Sequence, residues 1–250
     1  MLKKKHPLPC DDCVLFNEDA HQYVLPNYPD VRLTTITEAV ALLLPRFDTT
    51  AVSTKLAKKG KGRYAGMTAA SIRAEWTMAA RLGTQMHKAI EDYYNGADKT
   101  TLHHLPHDFV EVDDFLCKDL NLIPYRSELK MADRTSLLAG TADQIYQSTI
   151  NPLHFVIADW KRTATIPKTN PYERGLKELA HHDASKFIKF AMQLNLYALL
   201  LTQTCGLSVT RLLLVAMYPL GGYEIHDVPF MPEARAVYDR YVATAESVCN

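Results

Sequence analysis

Neither sign of charge is in excess in this 250-residue sequence, where Lys+Arg and Asp+Glu are both 28. That excludes a chain that grips a polyanion by overall charge, so any nucleic-acid partner has to be held by local basic patches. Long apolar runs are also missing. Runs such as 196–201 fall far short of the roughly 20 residues that span a bilayer, which predicts a soluble protein with no membrane partner. The opening MLKKKHPLPCDD is basic but has no apolar core of a secretory signal. Cysteines are few and odd in number: Cys10, Cys13, Cys117, Cys205 and Cys249. They do not read as a disulfide scaffold and point to an intracellular, reducing setting. Cys10-Asp-Asp-Cys13 has CxxC spacing but no second pair follows, so it is a weak signal for zinc or a cluster. No GxxxxGK[ST] phosphate loop, internal repeat, low-complexity tract or clean linker interrupts the chain, and one α/β domain over 1–250 is the economical reading.

The elements that are present follow from hydrophobic period and turn chemistry. Residues 14–24 and 31–36 suggest a short hairpin around Asn-Glu-Asp and Pro-Asn-Tyr-Pro turns, and 37–44 a helix. A long helix runs from an N-cap at Thr68 to a stop at Gly96, and 109–120 reads as a second helix. Strands are expected over 124–133, 137–147 and 153–161, then a helix over 185–204 closed by Gly206. Strands at 208–218 and 223–230 flank Gly221-Gly222, and Pro232 opens a terminal helix. The densest basic stretch is KLAKKGKGRY at 55–64. It reads either as a solvated helix end or as a phosphate-contacting surface through Lys58, Lys59, Lys61 and Arg63, with Arg162, Lys168, Lys186 and Lys189 as further basic contacts. Core packing is the expected fate of Trp76, with base stacking the alternative.

One segment carries chemistry. FVIADWKRT, residues 155–163, is apolar for four positions and then abruptly charged. On a strand, residues two apart share a face, so Asp159 and Lys161 are neighbours and Trp160 points the other way. The preceding strand, LLAGTADQIY, supplies Asp143, and a turn at 148–152 would fold the two strands into an antiparallel pair on which both carboxylates converge. Two carboxylates that close repel and resist ionisation. A divalent cation relieves the repulsion, and oxygen ligands suit Mg²⁺. A structural Asp–Lys pair is the plainer alternative. His87 lies on the long helix with Glu91 one turn on, and Gly83 and Thr84 make that face small enough for a sheet to approach.

The ordered series GTQMHKAIE, Glu128 in SELKM, AGTADQI, IADWK and QLNLY resembles the RecB-like branch of the PD-(D/E)XK nuclease superfamily, over roughly residues 70–220. Within that branch it is most similar to the group of the mitochondrial genome maintenance exonuclease and related viral and phage nucleases. The resemblance implies a restriction-endonuclease-like α/β core, a mixed central sheet flanked by helices, with 69–250 as catalytic core and 1–68 as an N-terminal extension whose helices form a substrate channel. It implies that Asp143 and Asp159 bind Mg²⁺ or Mn²⁺, that His87 completes the metal shell, and that Lys161 serves the attacking water. Glu128, Gln193 and Tyr197 would act near the site, and Glu91 would ligate directly or through water. The implied activity is a metal-dependent DNA nuclease, an exonuclease on single-stranded DNA ends. The alternatives are a structure-specific endonuclease acting on flaps, junctions or RNA, and a nucleic-acid-binding protein with a degenerate site. Some relatives carry an iron–sulfur cluster on one early and three closely spaced late cysteines; Cys205 and Cys249 are too far apart, so no iron–sulfur cluster is expected. The Asp of DWK replaces the Glu of other branches and shortens the reach to a metal.

Overall fold

Short segments bounded by turn residues, the central ones continuous apolar runs, form eight strands, and helical periodicity produces seven helices, in a computed structural model that describes residues 2–17, 20 and 22–249, the last three by backbone alone. In chain order these are α1 (Leu2–Lys5), β1 (Leu15–Asn17), β2 (Gln22–Val24), β3 (Thr34–Thr35), α2 (Ile36–Ala41), α3 (Thr49–Lys59), α4 (Ala69–Tyr94), α5 (Phe109–Asp114), β4 (Leu122–Asp133), β5 (Leu138–Ser148), β6 (His154–Arg162), α6 (Lys186–Cys205), β7 (Ser208–Met217), β8 (Tyr223–Val228) and α7 (Pro232–Cys249). The Asn-Glu-Asp turn expected between β1 and β2 falls at 18 and 19 outside the described residues, as does the side chain of Cys249.

Helix ends follow their capping residues. Thr68 accepts the Ser71 N–H to start α4, and Ser185 accepts the Ile188 N–H to start α6. Gly60 and Gly206, at φ 56° and 70°, close α3 and α6 in the left-handed conformation that glycine adopts without cost. The basic stretch at 55–64 is therefore the exposed C-terminal end of α3 and the turn after it. The second helix is shorter than expected as an α-helix, because at Phe115–Asp119 it widens into a π turn.

The chain is α/β, with a mixed central sheet flanked by helices. β4 lies antiparallel along the whole of one edge of β5, from Leu122–Ser148 to Asp133–Leu138. The other edge of β5 is shared: β3 runs parallel to it at 138–139, and β6 runs antiparallel to it only over 144–147. β6 then continues parallel to β7 as far as Arg162–Met217, and β8 closes the sheet. Between β3 and β6, residues 140–143 of β5 have no ladder partner on that edge, so the sheet splits there.

Strand alternation sorts the apolar side chains onto two faces. Ile157, Leu212, Leu214 and Ala216 join α2, α6 and α7 in one core, while Val156, Ala158, Trp160, Leu213 and Val215 join α4 and α5 in the other. Trp160, fully buried against Phe109 at 5.2 Å between ring centroids, is directed away from its charged neighbours as the alternation requires. Ile36, Val40 and Leu43, N-terminal to residue 68, are part of the same core as α6. Buried Asn195 fixes the approach of α7 to α6: its amide donates to the Ala191 and Pro229 carbonyls and accepts the Met231 N–H. Among the described residues no helix is long and apolar enough to cross a membrane.

The N-terminal segment is pinned twice. Arg126 of β4 forms a buried ion pair with Asp11 and donates to the His6 carbonyl. One residue before Asp11, Cys10 forms a disulfide with Cys205 at the end of α6, across a sequence separation of 195. The expectation of reduced thiols thus fails for this pair. Sequence spacing held no signal for it, because the partners are brought together only by the finished fold. The pairing also takes Cys10 out of any CxxC metal site and leaves Cys13 exposed.

Closing so long a loop restricts the unfolded chain, an effect worth about 2–4 kcal/mol. Reductant, or Cys205→Ser, is therefore expected to lower the thermal midpoint by roughly 5–10 °C, and a non-reducing digest should yield a linked Cys10–Cys205 peptide. An unchanged midpoint with no linked peptide would contradict the pairing.

Candidate functional site

The split in the sheet is where the charged residues gather. Because β5–β6 pairing stops at Gln144–Ala158, the next β6 amide, Trp160 N–H, has no ladder partner on β5. Asp143 supplies one from its side chain: Oδ2 accepts that N–H at 2.8 Å. The carboxylate thus lies in the gap between the strands, reachable from both faces. From the α4 side, His87 Nδ1 stands 3.4 Å from Asp143 Oδ2 and 3.6 Å from Glu128 Oε1. From the α6 side, Lys161 Nζ stands 3.8 Å from the same Asp143 oxygen and 2.6 Å from Asp159 Oδ2.

Glu128 is held by a strained backbone. It sits opposite Asp143, between the β4–β5 pairs Ser127–Gln144 and Leu129–Ala142, yet has φ 48°. A left-handed residue with a side chain costs about 1 kcal/mol or more, and such strain persists only where its surroundings impose it. His87, Glu128 and Asp143 each offer a ligand atom, and these lie within 4.8 Å of one another.

Asp159 is only 1% exposed, and neither oxygen receives a hydrogen bond of good geometry. The Lys161 ammonium, 2.6 Å from Oδ2, faces it as an ion pair. Burial pushes the Asp159 carboxyl up to about 6; the Lys161 ammonium pulls it down and Asp143 pushes it further up. For Lys161, burial favours the neutral amine, but Asp159 and Asp143 outweigh it and the pKa rises. His87 behaves alike: burial opposes its charge, and Asp143 and Glu128 raise its pKa overall. Lys189 is depressed by burial and by the nearby Lys161 charge, and Lys186 by burial and by Lys189.

α6 closes the other side. Gln193 Nε2 donates to the buried Tyr197 hydroxyl at 2.8 Å, and burial raises the Tyr197 pKa with added pressure from Asp159 and Asp143. The Tyr197 ring reaches the split because residue 140 is glycine: a Cβ there would lie 2.6 Å from Tyr197 Cε1.

The fold therefore brings together His87, Glu128, Asp143, Asp159, Lys161, Gln193 and Tyr197. Glu91 is engaged elsewhere, its carboxylate 3.1 Å from Lys88 Nζ on the same helix, and it faces a cleft shared with Glu128 and Lys130. Of the basic candidates, Lys58, Lys59 and Lys61 are exposed, and Arg63 pairs with Glu75. Lys186 donates to Thr163 Oγ1 and to the Thr165 carbonyl, and Arg162 lines a cleft with His103, His104 and Tyr218. Trp76 is half-buried, donates to the Tyr64 hydroxyl and lies beside exposed Phe47. Three participants escaped the sequence reading. Phe190, one turn before Gln193, lies 5.3 Å from Lys161 Nζ and was visible as an i,i+3 neighbour. Gly140 was legible only once Tyr197 was placed. Tyr23, whose hydroxyl is 2.7 Å from Thr141 Oγ1 and whose pKa is raised by burial and then by Glu128 and Asp143, comes from a distant hairpin with no local signal.

The donor set suits a divalent cation. Carboxylate oxygens dominate, one imidazole is added, and Asp159 is a buried carboxylate whose raised pKa shows that the Lys161 ammonium offsets its burial only in part. Asp143, Glu128 and His87 are the residues that would hold the ion, with Asp159 across the split.

No protein-family profile matches the chain, and no curated protein does. Among solved structures it is similar to the crystal structure of SSO0001, at 15% identity over 87% of this chain and 76% of that one, TM-score 0.35. It is also similar to the structure named "Putative exonuclease" from Eubacterium rectale, at 11% identity over 81% of this chain and 84% of that one, TM-score 0.36. Likeness at these scores carries no argument about this chain.

A pH dependence follows from Asp159. Well below pH 4 its carboxyl is protonated whether the chain is folded or not. As pH rises towards 6 the unfolded chain releases a proton that the folded one keeps, so stability falls, and above about 6 the loss is constant. In EDTA, the thermal midpoint of wild type relative to Asp159→Asn should drop by several degrees between pH 4 and 6.5 and then level off. A difference that does not vary with pH would show that Asp159 is not held against its ionisation.

Proposed function

We propose that this protein is a Mg²⁺- or Mn²⁺-dependent DNA nuclease of the RecB-like, PD-(D/E)XK kind, hydrolysing phosphodiester bonds from the ends of single-stranded DNA. The observation that carries the reading is the Asp143–Asp159–Lys161 arrangement at the split of the sheet, with His87 and Glu128 against its other side. A structural Asp–Lys pair needs neither a second carboxylate nor an imidazole aimed at the same gap. The ordered motif series supports the same assignment.

The chemistry a divalent cation supplies at such a site is polarisation of a phosphate oxygen and acidification of water. The chain's own groups do the remainder. Asp143 is oriented by the Trp160 amide, so its free oxygen is presented in a fixed direction. Lys161 enters as an ammonium, because the two aspartates raise its pKa. It therefore holds an attacking or phosphate oxygen by donating to it, rather than accepting a proton in the resting state. Gln193 and Tyr197 hold each other on the facing helix, and the Phe190 ring lies beside the Lys161 ammonium. Lys189 and Lys186, both depressed by burial, carry charges that a phosphate anion stabilises. The exposed end of α3, with Lys58, Lys59 and Lys61, offers backbone-phosphate contacts further along a strand.

The test is cleavage of end-labelled linear single-stranded DNA beside its circular form, with Mg²⁺ or EDTA. Loss of the linear substrate alone, dependent on metal and reduced by at least 100-fold in Asp143→Asn, Asp159→Asn and Lys161→Ala without loss of fold, is expected. Cutting of the circle would replace the exonuclease by an endonuclease. Binding without cutting would leave a nucleic-acid-binding module and overturn the enzymatic reading.

A further inference from the structure

A second convergence of ligand atoms lies outside this centre, where the connection from β6 to α6 meets the first turn of α7. The connection is folded back by the Arg174–Asp183 bridge, the Gly175 N–H donated to the His182 carbonyl, and a turn at Lys177–Leu179. This presents two consecutive histidines to α7. His181 Nε2 lies 2.7 Å and His182 Nε2 3.1 Å from the same oxygen, Oε1 of Glu233, with the imidazole centroids 4.2 Å apart. Within this cluster the other carboxylate oxygen, Oε2, is buried and without a hydrogen-bond partner.

Both imidazoles converge on one carboxylate oxygen, and neither reaches its buried twin. The other charges nearby are already engaged: Asp183 with Arg174 and the Asn170 N–H, and Glu178 with Arg240. Among the described residues no lysine or arginine forms an ion pair with Glu233, whose partners are the two histidines. A tetrahedral zinc with ligands at about 2.0–2.1 Å separates them by roughly 3.3 Å, so an ion enters with shifts of a few tenths of an ångström. Glu233 is mostly buried at 14% side-chain exposure, whereas His181 is 63% exposed, which leaves one side open for a water as fourth ligand.

We infer that His181, His182 and Glu233 form a transition-metal site, with zinc as its occupant, clamping the β6–α6 connection to α7. Two imidazoles and one carboxylate select zinc over magnesium, which prefers an all-oxygen shell. The site is separate from the Asp143–Asp159 centre and does not depend on the activity assigned to that centre. Its consequence is mechanical: the clamped segment leads directly into Ser185 and α6, which carries Gln193 and Tyr197.

Co²⁺ titration of the full chain in an Asp143→Asn background, monitored by visible absorption, tests the site with binding at the other centre weakened, and the His181 and Glu233 variants below assign the signal. The expected result is a saturable one-to-one d–d spectrum of four-coordinate intensity, with no thiolate charge-transfer band from exposed Cys13, displaced by Zn²⁺ and not by Mg²⁺. His181→Ala and Glu233→Gln should each weaken binding at least tenfold with an unchanged far-UV circular dichroism spectrum; His181 is exposed enough that its loss leaves the fold intact. Zn²⁺ should raise the thermal midpoint of the parent and not of these variants. No d–d spectrum, or one that the two variants leave unchanged, would overturn the site and leave a plain pair of histidine–carboxylate hydrogen bonds.

Discussion

Asp159 is an anion placed where water cannot reach it, beside a lysine that is itself buried, and much of this structure can be understood as what that placement requires. Taking a carboxylate out of water costs several kcal/mol even after relaxation, and one ion pair rarely restores it. Here the shortfall is visible in the raised pKa, although the Lys161 ammonium stands 2.6 Å from one oxygen. Around this pair the elements bring a second carboxylate, a glutamate and an imidazole to the same gap. Such an arrangement is poor for stability and apt for holding a cation.

The sheet topology makes the gap. β5 gives one edge wholly to β4 and divides the other between β3 and β6, and the unpaired interval at 140–143 admits Tyr197 against Gly140 and turns Asp143 towards the Trp160 amide. α4 and α6 reach this interval from opposite faces. The Arg126–Asp11 pair and the Cys10–Cys205 disulfide tie the N-terminal segment to β4 and to the end of α6, so the elements that frame the gap are held at their margins as well as at their cores.

Much of this was legible in the residues. Helix limits followed from Thr68, Ser185 and Gly206, and the three central strands from short segments separated by turn residues. Placing Asp159 and Lys161 on one face and Trp160 on the other needed only the period of a strand. What escaped depended on contacts between distant segments. The left-handed backbone at Glu128 has no glycine to announce it, the disulfide has no spacing to betray it, and Tyr23 arrives from a hairpin remote in sequence. The π turn after α5 interrupts a pattern that periodicity alone extends as helix.

The most direct test of the central claim is Mn²⁺ binding by the metal-free protein, followed by electron paramagnetic resonance, for wild type, Asp143→Asn and Asp159→Asn. Saturable binding that raises wild-type stability and is weakened at least tenfold in both variants, with the fold intact, is the predicted result. Absence of binding, or binding indifferent to both aspartates, would mean that the buried carboxylates serve the fold alone.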